Sequence, residues 1–354
     1  MRIIDRYLAW SVISGTLLTL GVLLPLLGVV ILADQLDAIG EADYGLADAL
    51  LFMLLSLPRY AYQIFPIATL IGALIGLGSL ASRSELVALR AAGLSVWQIV
   101  RAGLLGGLLL AAFAVVLGEV VAPFAEQRGV ELRREALSGD VAQQTPDGFW
   151  AIDDNSYVNI RDIHTGTSLR DIFIYHIDPV RGTLIATHAA GASYRDGHWE
   201  LEGIERSRVS ATGVTVERIA RAGWDSLLNP GLLKVVVANP HALPVWGLYK
   251  YIRFMSINKQ DASAYEVVFW GKVVHPVLTL SMILIAAPLL LGSSRTTGMG
   301  RQIFTGVMIG IFYYLVSRIF AYLALLFGMN PFMATITPPL LFVCGALWWL
   351  RRIG

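Results

Sequence analysis

Cysteine is almost missing: Cys344, in the last apolar run, is the one thiol in 354 residues, which excludes a disulfide framework and a cysteine-based metal site. It reads as a small core or lipid-facing residue. Charge is scarce as well, at 15% of the chain against 56% apolar residues, and the mean hydropathy is +0.63. That is the composition of a membrane protein. The formal net charge of +1 leaves no basic excess for nucleic acid as a partner. Only four lysines occur, Lys234, Lys250, Lys259 and Lys272, and none follows a glycine loop of the G-x-x-x-x-G-K-[ST] kind that cradles phosphate. The chain thus has no ATP site of its own, and an ATP-driven function needs a partner in trans. His164, His176, His188 and His198 lie among Asp153, Asp154, Asp162 and Ser156, without the H-E-x-x-H, G-x-S-x-G or zinc-ligand spacings. No catalytic residue and no metal site is expected.

What the chain does have is long charge-free runs. After Arg2, Asp5 and Arg6 comes Leu8 to Ala33, which as a helix reaches about 39 Å, a full bilayer span. An acidic loop with Asp34, Asp37, Glu41 and Asp43 follows. Leu46 to Leu57 is apolar, breaks at Pro58 and Arg59, and resumes from Tyr60 to Ala81 with Pro66 inside. One kinked helix fits, and so does an interfacial piece followed by a span. Val96 to Val121 is the third span, and Tyr265–Leu291, Gln302–Phe327 and Phe332–Leu350 are three more. Gly72 and Gly76, and Gly103 and Gly107, are small-xxx-small pairs that let helices approach closely.

Between the two sets of spans, residues 123–262 carry most of the charge. Glu126 to Leu137 is helical in pattern. Beyond it, short β-like runs at Phe149–Ile152, Tyr157–Ile160, Ile172–Tyr175, His198–Leu201 and Val214–Val216 alternate with turn signals at Pro146-Asp147-Gly148, Asp178 to Gly182 and Asp196-Gly197. Such spacing predicts a small sandwich or jelly roll, with Trp150, Ile152, Ile174 and Trp199 as candidate inward residues. The fold class is therefore a polytopic α-helical membrane protein, six transmembrane helices arranged 3+3, with an inserted β-jellyroll-like domain. The parts are 1–122, 123–262 and 263–354. Placing the N-terminus in the cytosol puts Arg2, Arg6, Arg83, Arg90, Arg295, Arg301, Arg351 and Arg352 on that side, in keeping with the positive-inside rule. Both termini are then cytosolic and the β domain lies outside.

The cytosolic connector Ser82 to Ser95 is helical in pattern, with Leu86 and Leu89 on one face and Glu85 and Arg90 elsewhere. Gly93 stands where a helix would stop and Ser95 where the next would be capped. It reads either as a solvated turn or as a docking helix for a cytosolic partner. Within the spans, charge is confined to a few positions, among them Glu119 and Arg318, with His275 nearby. An arginine near the bilayer centre costs about 2.5–3.5 kcal/mol, so Arg318 calls for a polar cavity, an anionic lipid group or a helix partner unless it snorkels. Arg128, Arg133 and Arg134 follow the third span, at the level of an outer headgroup, interspersed with Glu131 and Glu135. An ion-gradient-driven secondary lipid carrier and a mechanotransmitting membrane scaffold are the alternatives at this stage.

Three stretches carry a family resemblance: Ile71 to Val87 with Ser82-Arg83-Ser84-Glu85-Leu86, Ala91-Ala92-Gly93-Leu94-Ser95, and Gly118-Glu119-Val120-Val121-Ala122-Pro123. With Asp5-Arg6-Tyr7, Ala33-Asp34-Gln35-Leu36, Trp270, Lys272 and Pro276, the whole chain resembles the LptF/LptG family of lipopolysaccharide export permeases, and within it the LptG branch. The resemblance implies a permease of an ABC-type exporter in the Gram-negative inner membrane: a heterodimer with LptF, bound to an LptB ATPase dimer and to LptC. Lipopolysaccharide would leave the periplasmic leaflet through the periplasmic jelly roll towards a bridge. ATP and magnesium would be used by the partner ATPase, with no cofactor held by this chain. The segment at about 83–94 would be the ATPase-coupling helix, with Arg83, Ser84, Glu85, Leu86, Leu89, Arg90 and Gly93 in it and Glu85 as the acidic contact. Arg133 matches a basic family position by its spacing from Glu126-Gln127. Arginine forks suit phosphate, so Arg133, Arg134, Arg128, Arg318 and Arg59 are the lipopolysaccharide-binding candidates. Family members can carry lysines near Asp34-Gln35-Leu36, whereas this chain has Ile31, Asp37 and Ala38, which leaves Arg59 and Arg318 as substitutes for that phosphate contact.

Overall fold

The computed structural model describes residues 3–137, 143–153, 156–165, 168–178, 183–195, 198–210, 213–224, 243–257, 260–291 and 299–353. Six of its helices are long and apolar enough to cross a membrane. They are α1 (Ile3–Ala33), α2 (Leu46–Ser82), α4 (Val96–Val116), α7 (Ser263–Leu291), α8 (Met299–Phe327) and α9 (Pro331–Ile353), with the short α3 (Glu85–Ala91) between α2 and α4. A π-helical turn, Leu117–Val121, carries α4 directly into α5 (Ala122–Leu137). Six strands follow, then α6 (Val245–Ile257), an element unforeseen from the sequence. The chain divides into two compact units: Met1–Arg133, His241–Tyr249 and Ala262–Gly354 form one, and Arg134–Pro240 with Lys250–Asp261 the other.

In the helical unit, α2 is one continuous helix of 37 residues, about 55 Å long, which resolves the two alternatives at Pro58 in favour of a single helix. Asp48 caps its start by accepting from the Gly45 N–H at 2.9 Å. Lipid tails are as apolar as leucine, so helices here associate through close packing and not through a hydrophobic drive. The glycine pairs serve that need. A Cβ on Gly72 would strike the backbone of Gly15 and Thr16 on α1, and one on Gly76 would strike the backbone of Ser11. Gly106 of α4 meets the backbone of Ala9 of α1 in the same way, whereas Gly107 makes room for the Ile283 and Leu280 side chains of α7. Phe65, Leu70, Leu74 and Leu77 of α2 are buried in the shared core with Ile283 and Ala286 of α7.

The second unit is a sheet whose described strands pair in sequence order: β1 (Gln143–Asp153), β2 (Ser156–Thr165), β3 (Ser168–Asp178), β4 (Thr183–Arg195), β5 (His198–Ser210) and β6 (Gly213–Trp224). All neighbours are antiparallel. Alternate residues build its core, including Val158, Ile160, Ile172, Trp199 and Leu201, with Phe254 of α6 packed against them. Each β-like run of the sequence falls inside a strand, but β4 has no counterpart among those runs. Its β-branched residues, Thr183, Ile185 and Thr187, stand only at its start, and the Ala- and Gly-rich remainder is held by pairing with β3 and β5. Trp199 is fully buried and Ile174 partly so, whereas Trp150 is 51% exposed and stacks on Tyr175, so its expected inward placement is corrected. The Pro146-Asp147-Gly148 signal lies within β1, at a register shift between Gln144 and Phe149. The turns at 179–182 and 196–197, the linker with Arg295, and the side chains of Ile152, His164 and Arg134 lie outside the described residues.

Candidate functional site

Three groups of polar residues are set into or beside the helical unit. The first is the α2–α4 connector. Ser84 adopts the left-handed conformation, φ 62°, which costs a non-glycine residue about 1 kcal/mol or more. This reverses the chain so that α3 starts at Glu85. Gly93, φ 93°, ends the turn after α3 where a side chain would be strained. Ser95 then opens α4 through a reciprocal capping box, its Oγ accepting from Gln98 N–H at 3.2 Å while Gln98 Oε1 accepts from Ser95 N–H at 2.9 Å. Leu86 is buried and Leu89 packs partly against the core. Arg83, Val87 and Arg90 remain exposed. Glu85 is engaged, its Oε2 accepting from the Tyr7 hydroxyl of α1 at 2.7 Å. The connector is therefore an anchored helix with one charged and one apolar side, rather than a loose turn.

The second group is formed by cations at the far end of α2 and along α5. Arg59 pairs with Glu126 at 2.8 Å and lies over the Tyr60 ring. Arg128 pairs with Glu131 one turn on, at 3.0 Å, in an exposed position. Arg133 lies over the Phe52 ring at 5.5 Å, and its Nε is buried without a hydrogen-bond partner. Of these three, Arg133 alone has no acid partner among the described residues, which leaves its guanidinium able to take an anion. Arg318 is elsewhere, on the exposed side of α8, where its Nε donates to the Tyr314 hydroxyl at 3.1 Å and its head lies over the same ring. The structure thus brings Arg59, Arg128 and Arg133 to one region and keeps Arg318 apart.

The third group joins Glu119, His275 and Lys272, residues visible in the sequence whose pairing is not. Glu119, in the π-helical turn, accepts from Lys272 of α7 at 3.1 Å with one oxygen and from the Val245 N–H at the start of α6 at 2.6 Å with the other. Lys272 also donates to the Gly118 carbonyl at 3.3 Å. Pro66 of α2 has no N–H to give the Tyr62 carbonyl four residues earlier. His275 Nε2 donates there instead at 3.0 Å, and the two rings stack at 4.0 Å. Gly118 has no side chain, and a Cβ there would strike the Tyr62 ring. A π-turn of this kind often marks a functional position. The signal was present as one acid and one base in separate apolar runs, but nothing local pairs positions 119 and 272.

In the sheet, Ser156 Oγ lies 3.1 Å from His176 Nδ1, and His188 Nε2 lies 2.7 Å from Asp171. These are separate cross-strand pairs, and among the described residues no group of three potential metal ligands forms.

Comparison with known proteins matches the model of one family, described as lipopolysaccharide export system permease LptF/LptG, to residues 6–352. The chain is similar to the lipopolysaccharide export system permease protein LptG of Haemophilus influenzae, 33% identical over 349 residues, covering 98% of this chain and 97% of that protein. It is similar also to the protein of that name from Escherichia coli K12, 32% identical over 353 residues, covering 99% of this chain and 98% of that one.

Proposed function

The chain belongs to the LptF/LptG family of lipopolysaccharide export system permeases, and from that premise we propose how its polar groups divide the work. It is a multi-pass inner-membrane permease of a lipopolysaccharide exporter and a transport subunit, not an enzyme. The single observation that carries this is the match of the family model across both sets of spans and the inserted sheet.

Energy enters at α3. An ATPase subunit supplied in trans, an LptB dimer in this family, docks on the connector, with Glu85 as the acidic contact and Arg83 and Arg90 beside it. ATP and magnesium are used there and not by this chain. The buried Leu86 and the strained Ser84 support this reading, because both fix α3 to the bundle so that a push on it moves α2 and α4. The arginine distribution supports a cytosolic α3 and cytosolic termini, with the sheet in the periplasm. Lipopolysaccharide is taken from the periplasmic leaflet between this chain and LptF, and is passed by way of the sheet towards LptC and the bridge. Arg133, with Arg134, Arg128 and Arg59 near it, meets the phosphates, and Arg318 supplies a cation on the exposed side of α8. An ion-gradient carrier would need an intramembrane carboxylate at its disposal, and Glu119 is engaged by Lys272.

The test is co-purification after mild detergent extraction, followed by ATPase assays with and without lipopolysaccharide. An ATPase subunit is expected in the complex, lost on Glu85→Lys, with hydrolysis stimulated by lipopolysaccharide. Charge reversal at Arg133, Arg134 and Arg318 is expected to abolish lipopolysaccharide crosslinking. Recovery of the chain without an ATPase subunit under crosslinking would favour the carrier, and attachment surviving Glu85→Lys would remove the docking assignment.

A further inference from the structure

The end of the helical unit opposite the α3 connector, the outer side in the proposed orientation, carries an unbroken line of aromatic rings. A hydrocarbon core about 30 Å thick takes about 20 residues of helix. Counted back from Arg351, that length of α9 reaches Phe332, and counted back from Leu291, that length of α7 reaches Lys272. Counted forward from Val96, it ends about one turn short of Glu119. These residues therefore share the level where hydrocarbon gives way to headgroups. Their contacts agree: Glu119 meets Lys272 at 3.1 Å, and Trp270 meets Phe332 edge to face at 4.7 Å.

The start of α6 joins that level. Its Val245 N–H donates to Glu119 at 2.6 Å, and the Tyr249 ring lies 6.4 Å from that of Phe269 on α7. Trp246 and Tyr249 stack at 6.0 Å, and Phe269 meets Trp270 at 5.2 Å, so rings run from α6 across α7 to α9 at spacings where aromatic pairs attract. Val245 to Tyr249 all belong to the helical unit. Leu248 is fully buried there, whereas Trp246 and Tyr249, three residues apart and so on one side of the helix, are 66% and 48% exposed. Besides its rings, α6 carries Lys250 and Arg253 and no Asp or Glu. Toward water a helix turns charged and polar residues. Rings with a polar edge on a cationic amphipathic helix suit the boundary of a bilayer instead.

We propose that the opening turns of α6 lie in the membrane–water interface, with Trp246 and Tyr249 as lipid anchors and the headgroup region of outer-leaflet phospholipids as their partner. The occupant follows from position. The two rings continue a belt whose other members, Phe269, Trp270 and Phe332, stand on bilayer-crossing helices, so the lipid that surrounds those helices also meets α6. Glu119 and Lys272, at the same depth, fix the start of α6 to α4 and α7, so the anchors and the spans keep one depth together. The export reading supplies only the leaflet, and the anchoring rests on the spans and the belt.

The test uses the full permease complex in nanodiscs of phosphatidylethanolamine and phosphatidylglycerol, radiolabelled in their phosphates. The photoreactive p-benzoylphenylalanine replaces Trp246 or, in a second variant, Tyr249, an aromatic ring for an exposed aromatic ring, so neither variant disturbs the core. The exposed Val214 of β6 and Leu341 of α9 take the same probe as references for water and for hydrocarbon. On irradiation, the probes at positions 246 and 249 are expected to capture phospholipid as the one at 341 does, while the one at 214 stays blank. Mass spectrometry of the adducts should place those from 246 and 249 on the glycerol and the first acyl carbons, and that from 341 further down the chain. Positions 246 and 249 as blank as 214, capture of another protein chain in place of lipid, adducts as deep as those from 341, or capture of lipopolysaccharide in place of phospholipid once it is added would each overturn the proposal. Lipopolysaccharide-stimulated ATPase activity, measured on the same nanodiscs, reports separately on the export reading.

Discussion

The seam between α1 and α2 and the outer face of α8 are both membrane-embedded and both rich in apolar residues, yet they are built on opposite plans. In α2, 67% of the most apolar stretch is buried, against 17% in α8. Along the seam the side chains are removed: Gly15 faces Gly72, Ser11 faces Gly76, and Met53 closes the far end against Gly28. On α8 they are large and exposed, with Phe304, Met308, Phe312, Leu315 and Ile319 on a helix that also carries the exposed Arg318. Backbone-to-backbone packing makes a joint with no freedom to repack, whereas a face of long side chains beside one cation can meet different neighbours. The contrast separates a joint closed by backbone contact from a face left open on the outside of the bundle.

The hardest way to break the seam is to put a side chain into it. In Gly72→Leu the new atoms meet backbone of α1, which cannot yield without displacing the whole helix. The destabilisation is expected to exceed ~3 kcal/mol, above the usual range for overpacking, and to appear as loss of monodisperse protein after extraction. Gly21 of α1 has open space around its Cβ, so Gly21→Leu is the matched control and should be within about 0.5 kcal/mol of the parent. Equal behaviour of the two variants would erase the distinction between seam and face.

Next in size is the polar lock that ties the π-turn to α7. Lys272→Ala leaves Glu119 in a partly buried site without its cation, an expected loss of about 3 kcal/mol, the lower end of the range for breaking a buried pair because Glu119 keeps 25% side-chain exposure. Glu119→Gln should lose less, since the amide oxygen can still accept from the Val245 N–H. Thermal unfolding of the extracted complex compares the two, and a larger loss for Glu119→Gln would reverse the assignment of Glu119 as the stranded charge.

These two cases also show what is legible in a sequence of this kind. The six spans are visible because a bilayer demands long charge-free runs, and the sheet because its strands alternate between turns. Gly72 and Gly76 are readable as a contact surface, but α1 as their partner is not, since small residues name no neighbour. The continuity of α2 through Pro58 is hidden, because a proline marks a missing hydrogen bond and not whether another group fills it. Pairings such as Glu119 with Lys272 and Arg59 with Glu126 join residues far apart in sequence, and only the packing of α2, α5 and α7 brings them together. At the connector, Gly93 and Ser95 are readable from local turn and cap chemistry. The strain at Ser84 and the hold of Tyr7 on Glu85 are not, because they depend on where α1 begins.

A smaller effect is expected on the face of α8. Arg318→Glu points outward, so the unfolding temperature of the isolated chain should barely change, as for other surface substitutions. If the face meets an anionic lipid, lipopolysaccharide crosslinking and stimulated ATPase should fall about tenfold, the equivalent of roughly 1.4 kcal/mol. An unchanged stimulation together with a lowered stability would turn the face into part of the scaffold and remove the contrast with the seam.

The smallest predicted change lies where the seam leaves the membrane. Going down α1 from Gly15 to Ser11, contacts step up α2 from Gly72 to Gly76, and the next link in that order is the Tyr7 hydroxyl on Glu85 of α3. The rigid joint therefore ends on the carboxylate proposed to meet the ATPase subunit. The bond uses Oε2 and leaves Oε1 without a hydrogen-bond partner among the described residues, so Tyr7 orients the carboxylate without filling it. Tyr7→Phe removes only that hydroxyl. Because the site is exposed, folding stability should change by less than about 1 kcal/mol. Docking must then immobilise a freer glutamate, a cost of about 0.5–1.5 kcal/mol, so affinity for the ATPase subunit should fall roughly two- to tenfold. Titration of the purified ATPase subunit against the permease in nanodiscs measures this directly. Tighter binding in Tyr7→Phe would mean that Tyr7 withholds Glu85 rather than presenting it, and the seam would then act as a brake on docking instead of a path for its force.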